Sequence, residues 1–433
     1  MKRIVAVCGV IFVILFFGLQ PPVWAKEKLK IAVMHSLTGS MALGGALAGQ
    51  RGSLIAVEMF NARGGILNKY EIAPVEADTQ SNPDVAIREA ERLIDVEKVP
   101  VLLGIWSSSI AVPLASICEK NKTIFWLTSA ISDKVVEDRH QHYVFRIQPM
   151  ASQWGQTSVD FLKDNLGRLG YHDPSEVRVG VIYEDGPYGA TVKDSNISQA
   201  EKYKMKVVLA EGYDHQTKDL SALVLKLKAA KPDIILHAGY YPDIVLFLRQ
   251  ARELGLTTKG IIGHGTAYGN FPNLEKQLGP ELVQYLYNID PPLAQIVDKT
   301  KLKKEVGPLV DEFLKLYNQK YQEPSPASHA FQAFGYSWVL FQTMEQAIKK
   351  YGAATPDNIR KAALDLDIKE GQTPALFGVK FAPPDHKYAG QNLRSAPLLM
   401  QWVKGKIEIV WPEAMKTADP RLPAPSDWPL AAK

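Results

Sequence analysis

Serine-rich segments follow two of the β-branched runs in this sequence. Ser107-Ser108-Ser109 comes after the apolar run Val101–Gly104 and Trp106. Small hydroxyl side chains at such a turn can donate hydrogen bonds to a carboxylate, and the helix that follows adds its positive end. The alternative is that these serines only cap the helix. We favour binding, because the matching turn of the next run contains Thr128-Ser129-Ala130-Ile131. The two turns together would contact the same carboxylate from two sides.

Tyrosine stands beside glycine in three later turns. These turns are 183–189 with Tyr188, 239–242 with Tyr240, and 263–269, which contains His264 and Gly265. Aromatic surface next to glycine is typical of a pocket that is apolar with a few polar groups. We therefore expect these turns to form the second wall of a ligand site.

Catalytic motifs are missing from the sequence. It contains no Gly-x-Ser-x-Gly, His-Glu-x-x-His, Gly-Lys-Ser/Thr phosphate loop or Cys-x-x-Cys. His140 and His142, with Asp138 nearby, are the one close histidine pair, and their spacing is more typical of a solvated loop than of a metal site. The sequence predicts a binding protein without enzymatic activity, metal ion or cofactor.

The amino terminus predicts export. Lys2 and Arg3 precede an unbroken apolar run, 4–19, and Val23-Trp24-Ala25 offers small residues at the cleavage positions. This pattern is typical of a signal peptide covering residues 1–25, whereas a membrane anchor would need a longer apolar run. We therefore predict a protein that is exported from the cytoplasm.

Composition excludes other classes of protein. The chain has 433 residues, with 50 Lys+Arg against 46 Asp+Glu, and loss of the signal peptide removes two of the basic residues. A balance this close to neutral argues against nucleic-acid binding. Cys118 would be the one cysteine left after cleavage, so no internal disulfide can form and stability must come from two sizeable cores.

Strand and helix patterns alternate along most of the chain. The predicted strands are Leu29–Met34, Ile72–Glu76, Val99–Gly104, Thr123–Leu127, Val177–Tyr183, Lys206–Ala210, Asp233–His237, Gly260–Gly263, Gly378–Phe381, Leu398–Lys404 and Ile407–Trp411. Pro74 suggests an edge strand, and Asn82-Pro83-Asp84 reads as a helix start. Such alternation predicts an α/β fold of two doubly wound parallel-sheet lobes. A single sheet of about ten strands is the alternative.

The last third of the chain is mainly helical before its final strands. The helices predicted here are Val306–Tyr321, Ser328–Tyr351 and Thr355–Leu366. Residues 413–433 are rich in proline and show no regular period, so they form either a strap or a frayed tail.

The segments above, taken in order, resemble the periplasmic solute-binding proteins of the leucine/isoleucine/valine-binding type, which feed ABC importers. The matching segments are Leu37-Thr38-Gly39, Asn61–Ile66, Asp78 with Asn82-Pro83, Gly104 with Ser107-Ser108-Ser109, Tyr143–Arg146, Tyr188-Gly189 and Gly239-Tyr240-Tyr241. They span nearly all of the chain beyond residue 25. Each motif is weak alone, whereas the ordered set is specific.

The resemblance implies two lobes joined by three crossings that enclose a ligand by hinge closure. Lobe 1 would comprise 26–147 and 290–369, and lobe 2 would comprise 148–289 and 370–412. It also implies that Ser108 holds a ligand carboxylate, that Ser129 and Ala130 adjoin it, and that Tyr188 and Tyr240 face it from lobe 2. The partners would be a small-molecule ligand and a membrane ABC permease, and we expect a monomer.

Departures from the family pattern bear on the ligand. Amino-acid binders of this type hold the ammonium group with a hydroxyl where this chain has Ile131, and with a glutamate in the loop that here contains His264 and Gly265. A buried ammonium without a carboxylate would cost several kcal/mol. Gly44 replaces a family tyrosine and is expected to enlarge the pocket.

These departures predict an aromatic or branched organic acid as the ligand. A branched-chain or other hydrophobic amino acid is the alternative, with Asp185 as a substitute anchor for the ammonium group. A sensory receptor that serves a separate signalling partner is a further alternative.

Overall fold

The computed structural model describes residues 26–432, and the strands of its first sheet run parallel. They are Glu27–His35 (β1), Tyr70–Asp78 (β2), Val101–Gly104 (β3), Ile124–Leu127 (β4) and Val144–Arg146 (β5), in the spatial order β2-β1-β3-β4-β5. Strands β3 and β4 are buried throughout, as expected for parallel strands covered on both faces. Strand β2 lies at the edge, which confirms the position predicted from Pro74.

The helices between these strands begin where the sequence indicated. They are Leu47–Ala62 (α1), Pro83–Asp95 (α2) and Ser108–Lys120 (α3). The side chain of Asn82 accepts hydrogen bonds from the backbone N–H of Asp84 at 2.8 Å and of Val85 at 3.2 Å. The predicted cap at the start of α2 is therefore confirmed.

A second sheet contains the remaining strands. They are Arg178–Glu184 (β6), Lys206–Tyr213 (β7), Ile234–Ala238 (β8), Gly260–His264 (β9), Tyr287–Asp290 (β10), Leu398–Val403 (β11) and Lys406–Trp411 (β12). Their spatial order is β12-β11-β10-β9-β8-β6-β7, and only the β10–β11 and β11–β12 pairs are antiparallel. Two separate sheets exclude the alternative of one large sheet.

Helices cover both faces of the second sheet. They are Ala151–Asp164 (α4), Leu166–Leu169 (α5), Pro187–Lys202 (α6), Ser221–Ala230 (α7), Tyr241–Glu253 (α8), Thr266–Gly269 (α9), Phe271–Leu278 (α10) and Pro280–Val283 (α11). Tyr188 lies in the first turn of α6 and Tyr240 is the N-cap residue of α8, so both lie at the carboxyl edge of the sheet.

The late helices return to the first sheet. Val306–Tyr321 (α12) and Ser328–Tyr351 (α13) have the predicted bounds, and Pro356–Leu364 (α14) follows its cap Thr355. Helix α13 lies against α1 at Gly52, where a Cβ atom would come within 1.9 Å of the carbonyl oxygen of Ala330. Only glycine permits this approach, which fixes α13 beside the cleft.

The strand predicted at Gly378–Phe381 is wrong. Val379 and Phe381 form only isolated bridges, with Ile368 and Asn392 respectively. The ring of Phe381 packs within 5.4 Å of Trp126, so the apolar residues Val379 and Phe381 belong to a buried loop. Alternation of buried and exposed positions over four residues cannot distinguish such a loop from a strand.

The C-terminal residues form a strap over the second lobe. Leu422, Trp428 and Leu430 are buried, and Ala431 forms a bridge with Thr258. The indole N–H of Trp428 donates to the carbonyl of Leu282 at 3.1 Å. Between 26 and 432, no helix has the length and apolar character required to cross a bilayer.

Trp428→Ala should lower the free energy of unfolding by about 3–5 kcal/mol, since it removes a buried aromatic side chain and its hydrogen bond. Urea unfolding followed by circular dichroism measures the change. Asp427→Ala, at the exposed neighbouring position, is the control and should change stability by less than about 0.5 kcal/mol. Equal, small effects of the two substitutions would contradict a stabilising strap.

Candidate functional site

The carboxyl edges of the two sheets face each other across a cleft that contains a cavity of about 30 Å³. Turns that follow β3, β4, β8 and β9 contribute to its wall, as expected for ligand sites of doubly wound sheets. The lining residues are Trp106, Ser108, Ser129, Ile131, Trp154, Tyr188, Gly239, Tyr240, His264, Gly265, Ala267 and His329.

Ser108 is the first residue of α3 and points its hydroxyl group at the neighbouring turn. Its Oγ accepts a hydrogen bond from the backbone N–H of Ser132 at 3.1 Å, which leaves its own hydrogen to be donated elsewhere. Ser107 is the N-cap residue, but its side chain does not cap the helix; its Oγ lies 2.7 Å from that of Ser109. Ser107 lies outside the cavity lining, so the structure separates it from Ser108.

The turn after β4 divides in the same way. Ser129 and Ile131 line the cavity, whereas Ala130 does not. The carbonyl oxygen of Ala130 instead accepts a hydrogen bond at 3.4 Å from Arg146, whose Nη1 also donates to Ser132 at 2.6 Å. Burial lowers the pKa of Arg146 to about 10, so this guanidinium stays charged at neutral pH and anchors the turn.

Trp106 forms the aromatic wall of the cleft on the side of lobe 1. Its Nε1 donates to Nδ1 of His329 at 2.7 Å, and its ring lies 5.2 Å from that of Tyr240 across the cleft. Its six-membered ring fills the space beside Gly44, where a Cβ atom would come within 3.0 Å of it. The expectation that Gly44 enlarges the pocket is therefore wrong, because Trp106 occupies the volume.

Tyr188 and Tyr240 form the opposite wall, with ring centroids 5.7 Å apart. The hydroxyl group of Tyr188 donates to the carbonyl oxygen of His264. Burial raises the pKa of both phenols well above the usual value, so both are neutral.

The loop after β9 leaves no room for an acidic side chain. Gly265 has φ +89°, and a Cβ atom there would lie 3.0 Å from the indole of Trp154. The ring of His264 points into its own lobe, where Nδ1 lies 3.1 Å from the carbonyl of His237 and Nε2 lies 3.3 Å from Oγ of Ser158. Burial lowers the pKa of His264 to about 4, so its ring is neutral.

Several lining residues were missed in the sequence, namely Trp154, Gly239, Ala267 and His329. Trp154 and His329 belong to helices α4 and α13. A prediction based on the ends of strands therefore does not include them. Gly239 lies directly before Tyr240, within a turn that had been singled out. The indole N–H of Trp154 is buried and has no hydrogen-bond partner within residues 26–432.

Comparison with known proteins agrees with this geometry. A family model described as "Periplasmic binding protein" matches residues 28–405. The chain belongs to this family. It is 31% identical to Leu/Ile/Val-binding protein homolog 7 of Brucella suis biovar 1 (strain 1330), over 92% of this chain and 95% of the relative. It is also 31% identical to homolog 8 of Brucella abortus (strain 2308), over 90% and 92% respectively.

Solved structures share the two-lobed fold of this periplasmic binding protein. A leucine-binding protein, LivK, from Thermotoga maritima superposes with a TM-score of 0.72 at 23% identity, over 88% of this chain and 97% of that chain. An ABC transporter solute-binding protein from R. palustris, solved in complex with benzoate, gives 0.72 at 18% identity, over 92% and 99%. The resemblance and the fold class inferred from the sequence are both confirmed.

In this periplasmic binding protein, the residues that line the cavity include no Asp, Glu, Lys or Arg. Asp185, the proposed substitute acid, is exposed and lies outside the lining. Buried carboxylates lie behind the tyrosine wall: Glu184 accepts from the backbone of Gly186 and Gly189, and Asp290 accepts from Gln332.

Asp243 is the last member of a chain of hydrogen-bonded polar side chains behind Gly239. One of its oxygens accepts from Tyr213 at 2.7 Å, and the Tyr213 hydroxyl also lies 2.7 Å from Nε2 of His237. The other oxygen, Oδ1, is buried without a hydrogen-bond partner among the described residues. Burial raises the pKa of Asp243 to about 7.

A hydrogen bond joins the lobes beside the cavity. The hydroxyl groups of Ser132, in the turn after β4, and Thr191, on α6, are 2.8 Å apart. Ser132 is also the residue whose carbonyl oxygen Arg146 holds. The turn that faces the cleft is thus bonded both to α6 of the opposite lobe and to Arg146 of β5.

Asp243→Asn should change the pH dependence of stability. A carboxyl whose pKa is raised on folding favours the folded state at pH below its unfolded value and loses this contribution as pH rises through about 7. The wild type should therefore lose stability relative to Asp243→Asn between pH 4 and pH 7.5. Urea unfolding at both values measures this, with exposed Asp185→Asn as the control. Parallel stability profiles for wild type and Asp243→Asn would contradict the assignment.

Proposed function

We propose that this protein is the extracytoplasmic receptor of an ABC importer and captures a small organic acid, aromatic or branched, that lacks an ammonium group. The ligand would be enclosed between the lobes by hinge closure and passed unchanged to a membrane permease. The receptor would act in the periplasm as a monomer. The proposed contact residues are Trp106, Ser107, Ser108, Ser129, Ala130, Ile131, Tyr188, Tyr240, His264 and Gly265; of these, Ser107 and Ala130 would act from behind the lining.

The environment of Ser108 is the observation that carries this proposal. Its hydroxyl group is oriented by Ser132 and retains a hydrogen to donate into the cavity. The amino end of α3, a helix of 13 residues, adds a positive partial charge at the same point. The unpartnered N–H of Trp154 is a further donor beside the cavity. Donors without a fixed cation suit a single carboxylate.

The neutral lining argues against an ammonium group. Ile131 and Gly265 stand where amino-acid binders of this type have a hydroxyl and a carboxylate, and the positive φ of Gly265 excludes a simple restoration of the acid. An ammonium buried here would lose its hydration without gaining a charged partner, at a cost of several kcal/mol.

The aromatic walls favour a flat or branched apolar body. Trp106, Trp154, Tyr188 and Tyr240 surround the cavity, and such surfaces bind rings by stacking or edge contacts. The R. palustris protein of the same fold was solved with benzoate, which is an acid of this class. The cavity of about 30 Å³ is far smaller than the few hundred Å³ of an ordinary ligand site, so the lobes must separate to admit the ligand.

A hydrophobic amino acid is the second candidate, and one observation favours it. Burial is the main cause of the raised pKa of Tyr188, and the nearby charges of Glu184, Asp243 and Asp290 raise it further. A negative field on that side would attract an ammonium group across the tyrosines. Curated relatives carry the name Leu/Ile/Val-binding protein homologs, and a structural neighbour from Streptococcus pneumoniae was solved with isoleucine.

Calorimetric titration of matched ligand pairs decides between the candidates. The pairs are leucine with 4-methyl-2-oxopentanoate and phenylalanine with 3-phenylpropanoate, with benzoate as a separate aromatic acid. The deaminated acids should bind at least about tenfold more tightly than the amino acids, because they avoid desolvation of an ammonium group. Tight binding of leucine or phenylalanine, without binding of the acids, would establish the second candidate instead.

Ser108→Ala should weaken binding of the acids by about 10- to 100-fold, since a hydrogen bond to a charged group contributes about 1.5–3 kcal/mol. Ser109→Ala is the matched control: it lies one residue along the same turn, outside the cavity lining, and should change affinity less than about threefold. Thermal unfolding of each variant checks that the lobes remain folded. Equal losses in the two variants would remove Ser108 from the site.

A further inference from the structure

A second and larger recess opens at the mouth of the cleft. Its volume is about 440 Å³, and both lobes form its wall. The lining residues are Ser40 and Met41 from lobe 1, and His215, Gln216, Thr217, Lys218, Tyr240, Pro242, Val245, Leu246 and Arg249 from lobe 2. Nothing in the role of the inner cavity accounts for this space.

The recess is positively charged. Lys218 and Arg249 are exposed on its wall, and neither forms an ion pair or a side-chain hydrogen bond with any residue in the described part of the chain. No Asp or Glu is among the residues that line it. Of the acids near Lys218 in the sequence, Asp214 accepts from the backbone N–H of Gln216 at 2.8 Å, and Asp219 accepts from Gln250 at 2.8 Å.

His215 adds an unused polar atom. Its Nε2 is buried and has no hydrogen-bond partner between residues 26 and 432, and its ring packs edge-on against Tyr240 at 5.2 Å. A buried ring nitrogen without a partner costs free energy that a ligand atom could recover.

Tyr240 connects the recess to the inner cavity, since it lines both. Pro242, Val245 and Leu246 supply apolar surface along α8, between Tyr240 and Arg249. A hydrocarbon chain could therefore run along an apolar path from the serine turn to a basic end. Because Ser40 and Met41 belong to lobe 1, a ligand in the recess would contact both lobes and favour the closed state.

We propose that this recess is a second subsite, which binds an anionic group at the far end of the ligand. The ligand class is then an α,ω-dicarboxylate or another organic acid with a second anion, held by Ser108 at one end and by Lys218 and Arg249 at the other. The inference rests on the proposed function, because it assumes that the first carboxylate binds at the serine turn.

The test compares two homologous series by calorimetry: straight-chain monocarboxylates and α,ω-dicarboxylates of about four to ten carbons. The variant is Lys218→Ala/Arg249→Ala. The control is Lys206→Ala/Lys406→Ala, which also removes two exposed positive charges, but at the amino ends of β7 and β12, on the edge opposite the cleft. Thermal unfolding verifies that both variants fold.

We expect one chain length of dicarboxylate to bind the wild type and the control at least about tenfold more tightly than its monocarboxylate. In Lys218→Ala/Arg249→Ala this ratio should fall to about one, while affinity for the monocarboxylate stays within about threefold. The wild-type preference should also weaken between about 20 mM and 500 mM NaCl, because exposed charges are screened.

The outcomes separate the two proposals. Binding of monocarboxylates that depends on Ser108, combined with a ratio near one in the wild type or a ratio unchanged in the variant, would overturn the second subsite and leave the proposed function intact. Failure of both series to bind, while benzoate or 4-methyl-2-oxopentanoate binds, would overturn the subsite alone. Failure of all of these acids to bind would overturn the proposed function and, with it, the subsite.

Discussion

The contact between Trp106 and Tyr240 is the interaction on which the geometry of the cleft depends. It joins the aromatic walls of the two lobes, with ring centroids 5.2 Å apart. Trp106 is held by its hydrogen bond to His329, and its six-membered ring occupies the space beside Gly44. Tyr240 is held by the turn that contains Gly239. Tyr240 lines both the inner cavity and the recess at the mouth of the cleft. Moving either ring therefore changes both spaces together.

The alternation of strands and helices was predictable because parallel strands and amphipathic helices have distinct periods. Most predicted strands lie within one to three residues of the observed ones, and α12 and α13 have the predicted bounds. Gly378–Phe381 failed because burial of a loop selects the same apolar residues as burial of a strand. Element ends depend on caps, which explains why the start of α2 at Asn82 was the clearest boundary.

The rule that ligands bind at the carboxyl ends of parallel strands predicts part of the site but not all of it. Ser108, Ser129, Ile131, Tyr188, Tyr240 and Gly265 all line the cavity, since parallel strands end at one edge of a sheet. Trp154 and His329 reach the cavity from helices, so their place depends on packing between distant segments. The ring of Trp106 fills the space beside Gly44, although the two residues are 62 positions apart in the sequence. A pattern within a short segment cannot predict such compensation. The sequence does not distinguish Asp243, in the first turn of α8, from an exposed acid, because its burial depends on packing between distant segments.

The hydrogen bond between the hydroxyl groups of Ser132 and Thr191 bears on the balance between the closed and open forms of the cleft. A neutral hydrogen bond contributes about 1 kcal/mol, which changes the ratio of closed to open molecules about fivefold. This hydrogen bond therefore stabilises the contact between the lobes only weakly. Because neither hydroxyl ionises in the physiological range, salt and pH leave its strength unchanged. This contribution to the closed form therefore differs from that of the exposed cations Lys218 and Arg249, whose charges are screened by salt.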